Sequence, residues 1–229
     1  MIVMNYLATA LPLNNKTTGE LSDSFPNLFV PAGITFSIWG IIYLLLLIYS
    51  IVQFTGSNQI AISKISLAFG ISCIMNALWI ITWHYGKLPL SLLVMVSLLV
   101  SLIYINMAIE HLPLGIIKAA FGVYLGWISI ATIANVTALL VNYKWNGFGV
   151  SHETWTIIMI AIGALIVALT IYRISNPFIG LSVIWAFTGI IIKRQEDFRS
   201  IVIASAAAIA IVGAVTIWGF FRKTAVAGS

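Results

Sequence analysis

Seven long apolar stretches are the feature that most limits how this chain can fold. They lie at about residues 31–53, 60–84, 88–109, 114–141, 155–173, 177–192 and 200–221. A helix needs roughly 20 residues to cross about 30 Å of hydrocarbon, and all but the sixth stretch approach that length. Only 7% of the 229 residues are charged, against about 25% in soluble domains. The sequence therefore predicts an all-α, polytopic membrane helix bundle and excludes a soluble domain. The net charge of +5 fits loops that face anionic headgroups better than a nucleic-acid surface, which would need a clustered basic stripe.

Two segments come before the first full stretch. Residues 1–13 are apolar but would extend only about 20 Å as a helix, so we expect a partial helix or the end of a longer one. Residues 14–30, NNKTTGELSDSFPNLFV, are the most polar segment. Within them, Thr17-x-x-Glu20 is typical of a capping box that opens a short helix. A long structured loop over a bundle is often a lid, although a plain solvated connector fits this composition equally well.

Ionisable side chains are almost absent from the middle of the predicted spans. Burying such groups in lipid is costly and usually serves a function. Here the carboxylates lie in loops or at helix ends, and no His, Cys or acidic cluster has the spacing of metal ligands. We therefore predict no catalytic residues and no metal site. An enzyme would have to work through Trp and Tyr redox chemistry or photochemistry, and it is the least supported class of function.

Uncharged polar and aromatic side chains instead recur as stripes on three predicted helices. The stripes are Trp39 and Tyr43 on the first span, Asn76, Trp79 and Trp83 on the second, and Tyr124, Trp127, Ala131 and Asn135 on the fourth. Spacings of three and four residues put the members of each stripe on one helix face. Lipid offers no hydrogen-bond partner for an indole or an amide, so the stripes should point inward. They either join helices or line a cavity for a flat hydrophobic ligand, and spacing alone leaves both open.

Three segments that carry these stripes resemble motifs of the TspO/MBR family, the tryptophan-rich sensory proteins or translocator proteins. PAGITFSIWGIIY resembles the Pro-Pro…Phe-x-x-x-Trp-x-x-x-Tyr stretch at the start of the family's second helix. MNALWIITWHYGK resembles the third-helix motif Leu-Asn-x-x-Trp-x-x-x-Phe. VYLGWISIATIAN resembles the fifth-helix motif Pro-Tyr-x-x-Trp-x-x-Phe-Ala-x-x-Leu-Asn. The three motifs occur in the family's order, with helix-length gaps between them.

The resemblance implies a TspO-like five-helix core over residues 1–142, with a partial first helix at 1–13 and a lid loop at 14–30 over a ligand cavity. Residues 143–229 would then add three transmembrane helices packed on the core, which would make the chain a divergent branch. The ligand-binding residues implied by the matching positions are Pro31, Trp39, Tyr43, Asn76, Trp79, Trp83, Tyr124, Trp127, Ala131 and Asn135.

The same resemblance implies a receptor or carrier for a hydrophobic aromatic molecule, with a sensory or regulatory role in a bacterial cytoplasmic membrane. Expected ligands are tetrapyrroles such as protoporphyrin IX or haem, and sterols; no cofactor is obligatory. The alternatives are a membrane transporter of a small hydrophobic molecule or metabolite, and a structural subunit without a ligand. The expected partners are the ligand and the lipid bilayer, with a homodimer as a further option.

The chain also departs from the family pattern. Ala32 replaces the second proline, Val123 replaces the proline before Tyr124, and Ile130 replaces a phenylalanine. Residues 14–30 lack the family's Trp-Tyr pair, which argues against photochemical porphyrin breakdown. The small residues of ASAAAIAIVGA at 204–214 favour close helix contact. We expect them to pack internally, with a dimer face as the alternative.

Overall fold

The computed structural model describes residues 1, 4–5, 16–56 and 58–222, and this part of the chain is helical without strands. Its helices are α1 (Thr18–Asp23), α2 (Ile38–Val52), α3 (Gln59–His84), α4 (Leu88–Ala108), α5 (Ile116–Asn142), α6 (His152–Ile174), α7 (Phe178–Arg194) and α8 (Arg199–Phe221), with 3-10 turns at Gly33–Ser37 and Gly147–Gly149. The seven predicted spans correspond to α2–α8, which confirms the predicted polytopic bundle. Met4 and Asn5 are helical, and most of the predicted partial helix at 1–13 lies outside the described residues.

Six of these helices are long and apolar enough to cross a membrane, α2 together with the 3-10 turn before it. Helix α7 is the short sixth stretch of the sequence. Its 17 residues extend about 25 Å, less than the roughly 30 Å of hydrocarbon. Short connections make successive helices antiparallel, so residues 16–30 lie at the end of the bundle where α3, α5 and α7 finish. We call this the lid end.

Helix α7 packs in the middle of the bundle, against α5, α6 and α8. Glycines allow this close approach. A methyl group at Gly126 of α5 would lie 2.1 Å from the carbonyl oxygen of Ile179, and one at Gly180 of α7 would lie 1.8 Å from the hydroxyl of Thr216 on α8. These separations are shorter than any van der Waals contact, so no larger residue fits at either glycine without moving a helix.

A buried polar junction joins α7 to the core at the end opposite the lid. Lys118 is fully buried, and its Nζ donates to the carbonyls of Glu110 at 2.7 Å and Ser175 at 3.1 Å. These carbonyls lie just beyond the ends of α4 and α6, where helices lack internal donors. Beside them, Asn176 Nδ2 donates to Asn106 Oδ1 at 2.8 Å and to the Lys118 carbonyl at 2.9 Å. The ammonium therefore pairs with carbonyls at the ends of two helices.

The small residues of α8 pack internally on one face. Ser205, Ala208 and Val212 are buried against α6 and α7, whereas Ala206 and Ala207 are exposed. One face of α8 thus packs internally, and other small residues of the segment, Ala206, Ala207, Ala210 and Ala214, are exposed. A homodimer through the exposed face stays a prediction.

Candidate ligand-binding site

Trp39, in the first turn of α2, is the centre of a cluster of aromatic rings. It stacks on Tyr43 with ring centroids 5.4 Å apart, as residues four apart on a helix can. The rings of Trp79 from α3, and of Tyr124 and Trp127 from α5, surround Trp39 at 6.1 to 6.3 Å. Aromatic pairs at these separations contribute about 0.5–1.5 kcal/mol each beyond the area they bury. The three stripes recognised in the sequence therefore converge on one point between helices.

A pocket lies beside this cluster and below the lid. Indole rings form much of its wall. The alanines of α5 on the wall have small side chains, so they leave room between the rings. It is lined by Thr18, Ser22, Pro31, Phe36, Trp39, Trp79, Trp83, Trp127, Ile130, Ala131, Ala134 and Asn135. Its volume is about 40 Å³, which is enough for a few water molecules. The pocket is thus a narrow apolar space with aromatic walls.

A second, larger depression adjoins the pocket. It has a volume of about 570 Å³ and is bordered by α1, by Gly40 and by Tyr43. Thr18, Phe36 and Trp39 line both spaces, so their side chains form a shared wall. Phe36 and Trp39 therefore lie between the two spaces.

The lid helix α1 begins with the predicted capping box. Thr17 Oγ1 accepts a hydrogen bond from the Glu20 N–H at 3.2 Å, and Glu20 Oε2 accepts one from the Thr17 N–H at 2.8 Å. The bond from the Thr17 backbone, followed by that with its side chain, holds the pKa of Glu20 below its ordinary value. A helix of six residues is too short to be stable alone. The capping box and the contacts of α1 with the bundle therefore hold it in place.

Two contacts hold the segment that contains α1 against α3, above the pocket. Thr18 Oγ1 lies 3.1 Å from His84 Nε2 at the end of α3. The ring of Phe25 packs on that of Trp83, with centroids 5.6 Å apart. Thr18 and Ser22 are four residues apart on α1 and both line the pocket, so one face of the lid helix forms its roof.

Several polar atoms around the pocket have no hydrogen-bond partner within the described part of the chain. They are the indole nitrogens of Trp79, Trp83 and Trp127, Asn76 Nδ2 and Asn135 Oδ1, and all are buried. Leaving a buried donor or acceptor unpaired costs about 1–3 kcal/mol, and native structures contain few such groups. The three tryptophans that line this small pocket thus each carry a buried indole donor without a partner.

The structure brings the ten predicted ligand-binding residues into this one region. Seven line the pocket: Pro31, Trp39, Trp79, Trp83, Trp127, Ala131 and Asn135. Tyr43 lies behind Trp39 on the side of the larger depression. Asn76 and Tyr124 are fully buried beneath the rings. Their role in binding a ligand stays a prediction.

Sequence reasoning missed five lining residues. Ile130 and Ala134 flank Ala131 on the helix face that Trp127 begins, so a wider reading of that face would have included them. Thr18 and Ser22 share a face of the capped helix α1. Phe36 lies in the 3-10 turn, where α-helical spacing gives no guide, and its ring packs edge-on against Trp127 at 5.8 Å.

A comparison with known families assigns the chain. The family model described as TSPO-like protein matches residues 1–218. The chain belongs to this family. The match confirms the resemblance seen in the three motifs, and it continues past residue 142 through α6 and α7 and most of α8. These helices therefore lie within the region that the TSPO-like model describes. No curated protein and no solved structure matches the chain.

Proposed function

We propose that this TSPO-like protein is an intramembrane receptor or carrier that holds a flat, hydrophobic molecule with hydrogen-bond acceptors in the pocket below the lid. The observation that carries the proposal is the set of unpaired indole N–H groups of Trp79, Trp83 and Trp127 around one apolar space. A ligand that offers acceptors at its edge would satisfy these donors, and its faces would stack on the rings.

The donors favour a tetrapyrrole over a sterol. A sterol offers a single hydroxyl, whereas protoporphyrin IX offers carboxylates at the edge of a planar ring. Hydrogen bonds to charged acceptors are roughly twice as strong as neutral ones. A tetrapyrrole needs more room than the pocket has. Binding would therefore require Phe36 or Trp39 to rotate and to join the pocket to the neighbouring depression.

Binding is favoured over catalysis by the side chains that line the pocket. The lining contains hydroxyls, one amide, indoles and aliphatic groups, but no carboxylate, imidazole or thiol among the described residues. General acid–base catalysis needs a titratable group within hydrogen-bond reach of the substrate. A sensory or regulatory role fits such a site, because ligand binding would be coupled to the position of the lid.

The proposal is tested by titrating protoporphyrin IX into the protein in lipid nanodiscs and following porphyrin absorbance. Trp127→Phe keeps a ring but removes the indole N–H. We expect it to raise the Kd by about tenfold, the effect of one hydrogen bond to a charged group. Trp218→Phe is the matched control, since Trp218 lies on α8 and is 42% exposed, and its Kd should equal that of the wild type.

Empty nanodiscs measure the partition of porphyrin into lipid. Saturable binding that only Trp127→Phe weakens supports the site. Equal affinity for all three proteins, or binding no greater than that to empty nanodiscs, contradicts it.

A further inference from the structure

The end of α7 holds the segment that follows the lid helix. Arg194 Nη2 donates to the carbonyl of Asn27 at 2.9 Å, and its Nε donates to the carbonyl of Leu28 at 3.1 Å. Lys193, the preceding residue, forms an ion pair with Asp23 at the end of α1. Two consecutive residues of α7 thus bind three points of the lid, at a separation of more than 160 residues along the chain.

The middle of α7 holds the turn that leads from the lid into α2. The Ala32 N–H donates to the Gly189 carbonyl at 2.9 Å, and Trp185 Nε1 donates to the Thr35 carbonyl at 2.9 Å. A methyl group at Gly189 would lie 2.0 Å from Thr35 Oγ1. The turn therefore rests directly on the backbone of α7.

The contacts with α7 differ between the two parts of the lid. Asn27, Phe29 and Val30 are buried, and the carbonyls at 27 and 28 have no helix to pair them, so the guanidinium is the group that satisfies them. Helix α1 is largely half-exposed. Its contact with α7 is the Lys193–Asp23 pair, whose side chains are 23% and 47% exposed, and such pairs contribute little. Helix α1 also contacts α3, through Thr18 and His84.

Helix α7 itself contributes no residue to the lining of the pocket among the described residues. Its contacts with the lid therefore position the roof and do not touch a ligand. A change in these contacts would alter how often the pocket opens while leaving its walls intact.

We propose that α7 is the latch of the lid: Arg194 anchors residues 27–28, and release of this anchor opens the pocket to ligand exchange. The lid part of this proposal is independent of any ligand, and the exchange part rests on the proposed function. Arg194 is a positioning residue in this scheme, since it acts through the lid.

The first test uses amide hydrogen exchange of the ligand-free protein in nanodiscs. In Arg194→Met, exchange across residues 24–30 should rise by about tenfold or more, because a hydrogen bond from a charged donor shifts an opening equilibrium by at least that factor. Arg194→Lys can make one of the two hydrogen bonds, so its amide exchange across residues 24–30 should lie between that of Arg194→Met and that of the wild type. Exchange in α4 should not change in either variant.

Arg199→Met is the matched control. Arg199 lies at the same end of the bundle, at the start of α8, and its side chain is exposed. Wild-type exchange in this control, together with faster exchange in Arg194→Met, supports the latch. Unchanged exchange at 24–30 in a folded Arg194→Met protein overturns it.

A second variant keeps the test valid if Arg194→Met does not fold. Trp185→Phe removes only the indole N–H that binds the Thr35 carbonyl. It should raise exchange across residues 30–37, and wild-type exchange there would overturn the role of α7 at the turn.

The second test is stopped-flow binding of protoporphyrin IX. The association and dissociation rates should both rise about tenfold in Arg194→Met, with little change in Kd, because the lid changes the barrier more than the bound state. Faster amide exchange without porphyrin binding to the wild type would reject the proposed function and keep the latch. Porphyrin binding with unchanged rates would reject the latch and keep the proposed function.

Discussion

Replacing Gly126 by alanine tests whether α5 and α7 are as close as the fold requires. The added methyl group would lie 2.1 Å from the Ile179 carbonyl oxygen and 2.3 Å from Ser182 Oγ. Overpacking costs about 1–3 kcal/mol, and we take about 3 kcal/mol because the nearest atom belongs to the backbone of α7. Alanine is about 1 kcal/mol more favourable than glycine within a helix. The expected net loss in free energy of unfolding is therefore about 2 kcal/mol.

The control is Gly70→Ala on α3, where an added methyl group meets no atom within 4 Å. This variant should equal the wild type or exceed it by up to about 1 kcal/mol, from helix propensity alone. The stability of both variants is measured by thermal unfolding in the same detergent, with circular dichroism as the signal. For a chain of this size the Gly126→Ala loss corresponds to roughly 4–8 °C in Tm. A Tm for Gly126→Ala at or above that of Gly70→Ala would refute the close α5–α7 contact.

Two further predictions concern the ends of the bundle. Lys118→Met should lower the free energy of unfolding by about 1.5–3 kcal/mol, because the carbonyls of Glu110 and Ser175 lose a charged donor; a similar loss for the exposed Lys64→Met in the same thermal assay would contradict this. The capping box should depend on pH. The pKa of Glu20 is lowered in the folded state, so the stability that it gives to α1 is present above its unfolded pKa and is lost as the pH falls through the folded one. Amide exchange across 18–23 should differ between wild type and Glu20→Gln at neutral pH and become equal in acid, once Glu20 is protonated in the folded state; a difference that persists in acid would count against the capping role.

The lid and the pocket together suggest how the C-terminal helices contribute to this TSPO-like protein. Helices α2, α3 and α5 supply the rings, and α7 supplies the contacts that keep the lid above them. If α7 acts as proposed, the helices after residue 142 set access to the pocket, whereas the preceding helices form its walls.

The sequence by itself determined the class of fold, the number and approximate bounds of the spans, the capping box and the three aromatic stripes. These features follow from local rules: the length of helix that crosses lipid and the three- and four-residue spacing of one helix face. Such rules act within a few residues of the chain, so they could place Tyr124, Trp127 and Asn135 on one face of α5 without reference to any other helix.

Only the tertiary structure decided which faces meet and which side chains end without a partner. The approach of Gly126 to Ile179, the burial of Lys118 and the contact of Arg194 with Asn27 all join distant segments. Each depends on how closely two backbones approach, and glycines on several helices set that distance together. No pattern within a few neighbouring residues shows how closely two distant helices approach. This is why the aromatic pocket could be predicted from its residues, whereas the helix that holds its lid could not.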